Sequence, residues 1–154
     1  MNLNEFFEKT YVERKSSGYS FQELRPHIVC GDGIQLSVQA SDGHYCSPRI
    51  NGRGPYSNIE VGYPSIRPPK TWRKYFDGEW QTPGFIGSLK RIWKKRSQIF
   101  YTLKQKDSSK RLLKHYLSFN DNATNSVYGY IPSILVEEFI IKHDGIDEKK
   151  TFKD

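Results

Sequence analysis

The chain of 154 residues has few cysteines and no long apolar run. Its hydrophobic fraction is 36% and its mean hydropathy is −0.73. No stretch approaches the roughly 20 apolar residues that a membrane-spanning helix needs, which excludes a membrane-spanning protein. Residues 1–8 carry acids where a signal peptide has basic and then apolar residues, so no signal peptide is expected. The two cysteines are therefore predicted to be reduced.

The chain also lacks the short motifs of common enzymes. It contains no GxSxG, no P-loop, no HExxH and no GxGxxG. His44 is a candidate general base without a carboxylate partner at a meaningful spacing. A zinc site built from His27, Cys30, His44 and Cys46 is one interpretation, but the apolar surroundings of both cysteines favour packing in the core. The sequence predicts a non-enzymatic protein with no metal and no cofactor.

What the chain does have is aromatic residues, at 14%, and a formal charge of +7. Aromatic content at this level argues against disorder, and the length predicts a single domain over residues 1–154.

The charge is unevenly placed along the chain. Residues 70–114 hold thirteen Lys and Arg against three acids, whereas residues 1–69 sum to zero and residues 115–154 are acidic. All of the basic surplus belongs to one middle segment.

Apolar residues in this segment recur at helical spacing, at Ile86, Leu89, Trp93, Phe100 and Leu103. Three interpretations remain open: a surface helix docked by its apolar stripe, a phosphate-binding helix, or a helix between subunits. The second would use the basic side chains Lys90, Arg91, Lys94 and Lys95.

The remaining chain predicts a helix from Asn4 to about Lys15–Gly18, strands within residues 28–63, a strand over 126–131 and a helix over 134–142. Period-two alternation places Leu36 and Val38 in the core and Gln39 outside, and it places Ile59, Val61 and Tyr63 on one side of a later strand. Residues 44–46 are expected as a short strand, and Gly145 is expected to end the last helix. The expected fold class is α+β, with a small, strongly bent antiparallel sheet or barrel-like core and a helix at each end. The core would comprise residues 1–69 and 115–146, with a basic helical insertion at 70–114 and a loose tail at 147–154.

A cluster around the loop from His44 to Tyr56 suggests a ligand site. An arginine can bind phosphate bidentately, a tyrosine can stack on a base, and a carboxylate or amide can accept from a ribose or base edge. The alternative is structural, with an arginine paired to Glu60 and tyrosines packing at the sheet edge. The candidate ligand-binding residues here are Gln39, Tyr45, Arg49, Arg53, Tyr56, Glu60 and Tyr128.

The pattern DGxxxSVQAS, YCxPR, GPYxxxEVGxP and VYGYxP, over residues 32–64 and 127–132, resembles a group of small phage-encoded proteins. That group is similar to the anti-defence sponges that counter Thoeris immunity. The resemblance implies an oligomeric protein of the host cytoplasm that evades immunity by sequestering a cyclic nucleotide signal, either of the cyclic ADP-ribose type or a cyclic oligonucleotide. Tyr45, Arg49, Glu60 and Tyr130 lie within the matching motifs, which leave residues 70–114 unmatched.

Two functions are therefore expected as alternatives. The first is sequestration of a cyclic nucleotide immune signal by a homo-oligomer, without turnover. The second is binding of nucleic acid, or inhibition of a host defence nucleoprotein complex, through the basic segment. Neither involves a membrane.

Overall fold

The computed structural model describes residues 1–76, 89–90, 93–94, 96–97 and 122–153. The chain divides into two compact units, one comprising residues 1–78 and 123–154 and the other residues 79–122. The described helices and strands of the first unit are α1 Leu3–Lys9, β1 Glu13–Ser16, β2 Tyr19–Gln22, β3 His27–Val29, β4 Gln35–Gln39, β5 Asn58–Gly62, a 3-10 helix Lys70–Tyr75, β6 Val127–Pro132, α2 Ser133–Lys142 and α3 Glu148–Thr151. A short 3-10 turn, Asn122–Thr124, precedes β6.

The core sheet has four antiparallel strands in the order β3-β4-β5-β6. Neighbouring strands of the sheet are also consecutive strands in the chain. A short turn joins β3 to β4, residues 40–57 join β4 to β5, and the long stretch of residues 63–126 lies between β5 and β6. In the described part of the chain β3 and β6 are not paired with each other, so the sheet is open and does not close into a barrel. Together with the flanking helices this confirms the predicted α+β fold class.

Apolar residues at alternating positions build the core. Leu36 and Val38 of β4 and Ile59 and Val61 of β5 are fully buried. Each such side chain stabilises the fold by about 1.5–3 kcal/mol relative to an exposed one. Trp72 of the 3-10 helix lies in the same core, although the sequence assigned residues 70 onwards to a separate insertion.

The first helix differs from its prediction at both ends. Its N-cap is Asn2, whose Oδ1 accepts from the N–H of Glu5 while the Glu5 carboxylate accepts from the N–H of Asn2. This reciprocal capping box makes Asn2 the N-cap of the helix in place of Asn4. The predicted terminator near Gly18 is instead the turn of the β1–β2 hairpin, where Ser17 and Gly18 both have positive φ. Two successive positive φ values suit the tight turn of a two-residue hairpin.

Two strand predictions were also wrong. Residues 44–46, expected as a short strand, do not form one, and residues 44 and 45 lie in a bend. Tyr63, expected on the same side of its strand as Ile59 and Val61, has a φ of 50° and is half-exposed, whereas those two side chains are buried. The positive φ breaks the period-two alternation just after β5, and the side chain leaves the core.

The C-terminal helix α2 is confirmed, and Gly145 ends it as predicted. The φ of Gly145 is 73°, and its N–H donates to the carbonyl of Ile140 at 2.9 Å. The predicted loose tail is instead ordered: α3 is capped by Asp147, and Thr151 is buried. Thr151 Oγ1 accepts from the N–H of Val29 at 3.0 Å, which ties the tail to β3.

In the second unit, the described residues Leu89, Lys90, Trp93, Lys94, Arg96 and Ser97 are helical. Leu89 and Trp93, expected on a docked apolar face, are 50% and 70% exposed. The rest of the predicted basic helix lies outside the described residues. Within the described part of the chain, no helix is long and apolar enough to cross a membrane.

Candidate ligand-binding site

The loop between β4 and β5 is anchored by a buried arginine. Arg25 is only 2% exposed. Its Nη1 donates to the carbonyl of Ala40 at 2.6 Å and its Nη2 to the carbonyl of Gly52 at 2.8 Å. One guanidinium thus holds two distant points of the loop together, and the loop has a defined shape.

Arg25 has no carboxylate partner among the described residues. Its Cζ lies 4.8 Å from the ring centroid of Phe7 and 6.0 Å from that of Tyr56, and its Nε makes no hydrogen bond. Burial lowers the pKa of Arg25 below its ordinary value. An unneutralised cation beneath the loop makes the potential there more positive and favours an anionic ligand. No sequence pattern indicates this residue, because only its tertiary contacts distinguish it from other arginines.

Gln39 was predicted to face a ligand, but it is 5% exposed. Its Oε1 accepts from the N–H of Arg25 at 3.0 Å, and its Nε2 donates to the carbonyl of Arg25 at 2.9 Å. Gln39 therefore positions Arg25 and is not available to a ligand.

Tyr56 and Tyr128, also predicted as ligand residues, lie in the core. The Tyr56 hydroxyl donates within the loop, lying 3.0 Å from the carbonyl of Gly52, and that of Tyr128 donates to the carbonyl of Ala123 at 2.6 Å. The Tyr56 ring packs against Phe7 and the Tyr128 ring against Trp72, so neither is accessible to a ligand.

Tyr45 and Tyr130 are exposed side by side. Their side chains are 51% and 44% exposed, and their ring centroids lie 5.9 Å apart with an interplanar angle of 51°. The N–H of Tyr45 donates to Oε2 of Glu60 at 2.9 Å, and Asn58 Nδ2 donates to the carbonyl of Tyr130 at 3.0 Å. Hydrogen bonds at both backbones hold the two residues in place, so that their rings leave the main chain side by side.

Tyr130 also carries backbone strain, with a φ of 54°. For a bulky side chain this region costs of order 1–3 kcal/mol, and such strain is concentrated at functional sites. The rings of Tyr45 and Tyr130 and the Glu60 carboxylate beside them are named the tyrosine surface.

The two predicted arginines lie in different surroundings. Arg49 is exposed, and its Nε donates to the carbonyl of Asp42 at 2.8 Å. Arg53 is exposed, with its Cζ 5.4 Å from the ring centroid of Tyr11. Arg49 thus stays with the first half of the loop, while Arg53 lies against the segment that follows α1.

His44 lies in the same loop as Tyr45 and Arg49. Its Nδ1 lies 2.6 Å from Ser41 Oγ. Burial is the main cause that lowers the pKa of His44; the Glu60 carboxylate opposes this, and the Arg25 and Arg49 cations add to it. The Glu60 carboxylate and the Arg49 cation therefore both influence the pKa of His44. The spacing of residues in the sequence did not indicate this effect of a carboxylate on His44.

Nucleophilic chemistry is not favoured in this cluster. Ser41 is 3% exposed, and its Oγ also accepts from the N–H of Gly43. Burial raises the pKa of Cys46, and it raises the pKa of Cys30 to about 11. Neither thiol is poised as a thiolate at neutral pH. Among the described residues, no group of three or more His, Cys, Asp or Glu side chains is placed to hold a metal ion.

Of the four residues predicted for nucleic-acid binding, Lys90 and Lys94 are helical and exposed. Arg91 and Lys95 lie outside the described residues. No family model matches the chain, and no curated protein or solved structure matches it either. The resemblance to phage-encoded sponges stays a prediction.

Proposed function

We propose that this chain is a non-catalytic binding protein for a nucleotide-type anion, which it sequesters from solution. The observation that carries the proposal is the exposed, rigidly held pair Tyr45 and Tyr130. A base that stacks on aromatic side chains gains about 1–3 kcal/mol, and the gain is larger where the rings need no reordering.

The charges around the tyrosine surface fit the other parts of a nucleotide. Arg49 is exposed and offers a guanidinium to phosphate, and the buried Arg25 adds positive potential beneath the same loop. On the other side, Glu60 uses Oε2 for the N–H of Tyr45 and can accept from a ribose hydroxyl or base edge through Oε1. A cation on one side and an acceptor on the other orient a ligand that has both phosphate and hydroxyl groups.

The phage-protein resemblance narrows the ligand class to cyclic ADP-ribose isomers and cyclic oligonucleotides. Sequestration needs no turnover, which agrees with the buried Ser41 and the unreactive thiols. A sponge is effective when its sites outnumber the signal, so we expect several identical sites in a homo-oligomer acting in the host cytoplasm against host immunity.

Isothermal titration of the full chain with cyclic ADP-ribose isomers and with cyclic di- and trinucleotides tests the proposal. Tyr45→Ala and Tyr130→Ala should each weaken binding by about tenfold or more, because each removes a stacking ring. Tyr19→Ala is the matched control, since Tyr19 is 80% exposed on the hairpin. Heat denaturation should release the ligand chemically unchanged. Absence of heat with every nucleotide would refute the proposal, and an altered ligand would show an enzyme instead.

The nucleic-acid alternative is favoured by one observation, the exposure of the helical Lys90 and Lys94. Neutralising Lys90, Arg91, Lys94 and Lys95 together should abolish such binding and its steep salt dependence while leaving nucleotide binding intact. Arg49→Gln should have the opposite pattern. The two functions are thereby separated in one set of variants.

A further inference from the structure

A second surface of the first unit shares no residue with the tyrosine surface. An open groove of about 420 Å³ runs between the 3-10 helix Lys70–Tyr75 and α2. Its floor is Trp72 and Phe139, which are 0% and 4% exposed and whose ring centroids lie 5.0 Å apart. The groove is of the size that small-molecule sites have, roughly 300–1,000 Å³.

The groove has apolar walls that remain accessible. Ile66 is 36% exposed on one side, and Leu135 of α2 is partly exposed on the other. The rings of Trp72 and Phe139 are buried, so they offer apolar contact but no open face for stacking a base. This separates the groove chemically from the tyrosine surface.

The rim of the groove is cationic. Among the described lining residues, the cations Arg67 and Lys142 lie with the carboxylate of Glu138 and the imidazole of His143, whose Nδ1 lies 2.7 Å from Oδ2 of Asp32. Lys142 also lies in the last turn of α2, and it is exposed. The cationic surface continues past Thr71 into a shallower depression lined by Lys70, Arg73 and Lys74. An anion is therefore attracted to the groove mouth, while the walls favour an apolar group.

We propose that this groove binds a small organic anion with an apolar body and one anionic head. The body contacts Ile66 and Leu135 above the Trp72–Phe139 floor, and the head lies at the rim near Arg67 and Lys142. Acyl carboxylates and aromatic carboxylates share this chemistry. A polyanion would bind the same rim without needing the apolar walls, and the test separates it from the proposed ligand.

The probe is anilinonaphthalene sulfonate, an aromatic anion whose fluorescence rises in an apolar site, titrated into the full chain. We expect saturable binding of one probe that is displaced by decanoate or by indole-3-acetate. If decanoate competes better, the natural ligand is an acyl carboxylate; if indole-3-acetate competes better, it is an aromatic carboxylate. Inorganic phosphate and decanol, which lack the body and the charge respectively, should compete at least about tenfold less well. Equal competition by either, or no saturable binding, would overturn the proposal.

Paired variants locate the probe. Leu135→Asp should weaken probe binding about tenfold or more, whereas Ile134→Asp, one position away and 64% exposed outside the groove lining, should leave it unchanged. Lys142→Gln should weaken it about threefold and Lys149→Gln, on α3, should not. Lys142 is exposed, so its variant folds even if Leu135→Asp does not. Equal effects in the control of either pair would refute the site.

The outcome is independent of the proposed nucleotide function. Tyr45→Ala should weaken nucleotide binding about tenfold or more and leave probe binding unchanged. Lys142→Gln should weaken probe binding about threefold and leave nucleotide binding unchanged. A chain that binds the probe but no nucleotide would retain the groove proposal and lose the other.

Discussion

The carbonyl oxygen of Tyr45 accepts a 2.9 Å hydrogen bond from the backbone N–H of Tyr130. This bond joins the loop after β4 to the last strand of the sheet, where Tyr130 has positive φ. The two exposed rings consequently share one backbone frame, and a change at either position affects the presentation of both.

Two substitutions of Tyr130 distinguish the effect of losing its ring from the effect of its strained backbone. Tyr130→Gly and Tyr130→Ala both remove the ring and should both lose nucleotide binding. Because glycine adopts positive φ at little cost, we expect Tyr130→Gly to be more stable to urea than Tyr130→Ala by about 1 kcal/mol. At Tyr19, within β2, the order should reverse, since glycine weakens an ordinary strand. Equal stabilities of the Tyr130 pair would show that this φ carries no strain.

Gly129 allows the close approach of Tyr45. A Cβ at Gly129 would lie 3.0 Å from the Cβ of Tyr45 and 3.3 Å from its Cγ. Gly129→Ala should displace the Tyr45 ring and weaken nucleotide binding about tenfold, measured by titration. Gly62→Ala is the control, because its added Cβ meets Ser37 and Val127 at ordinary contact distances of 3.7 Å. If Gly129→Ala bound normally, the position of Tyr45 would not determine affinity.

The sequence predicted β3 to β6, because period-two alternation depends only on local pattern, but it missed the β1–β2 hairpin. Leu36 and Val38 were placed in the core correctly. The same alternation placed Gln39 on the face of the strand opposite Val38, and this orientation is correct. The alternation does not indicate whether another segment of the chain covers that face. Here the segment with Arg25 covers it, and a long-range contact of this kind has no local signature.

The candidate site was also predicted only in part, because a local pattern does not show which side chains are covered by distant segments. The motif pattern identified Tyr45, Glu60 and Tyr130, which the structure brings together. It also selected Tyr56 and Tyr128, since aromatic residues in strands look alike whether they face solvent or the core. The positive φ of Tyr130 follows from hydrogen bonds to distant residues, and no sequence pattern indicates it.

Gln39→Met should destabilise the fold. The substitution keeps the shape of the side chain but leaves the N–H and carbonyl of the buried Arg25 without their partners. At about 1–3 kcal/mol for each unsatisfied group, we expect a loss of at least about 2 kcal/mol in the free energy of unfolding, measured in urea. Gln35→Met, on the exposed start of the same strand, should be nearly neutral. A stable Gln39→Met that lost only ligand binding would restore Gln39 to the ligand site.

Thr151→Val tests whether the C-terminal segment is part of the fold. Thr151 Oγ1 accepts from the N–H of Val29 at 3.0 Å, and valine has the same shape without the hydroxyl. We expect a loss of about 1–2 kcal/mol and faster hydrogen exchange at the amide of Val29. Thr124→Val is the control, because Thr124 is exposed. Unchanged exchange at Val29 would mean that this contact does not hold the tail.

His44 should make stability depend on pH in a defined direction. Burial lowers the pKa of His44 below its ordinary value of 6.5, so between the two values the unfolded chain binds more protons than the folded one. The free energy of unfolding therefore falls as the pH is lowered through 6.5 towards the folded pKa.

Urea unfolding at about pH 7.5 and about pH 5.5 measures this, because carboxyl groups with lowered pKa values, such as Asp32 and Glu148, contribute only in more acidic solution. His44→Asn should remove part of the difference between the two pH values, whereas His27→Gln, on the exposed start of β3, should retain it. Glu60→Gln should enlarge the difference, since the Glu60 carboxylate raises the pKa of His44. A smaller difference in Glu60→Gln would contradict the electrostatic influence of the Glu60 carboxylate on the His44 imidazole.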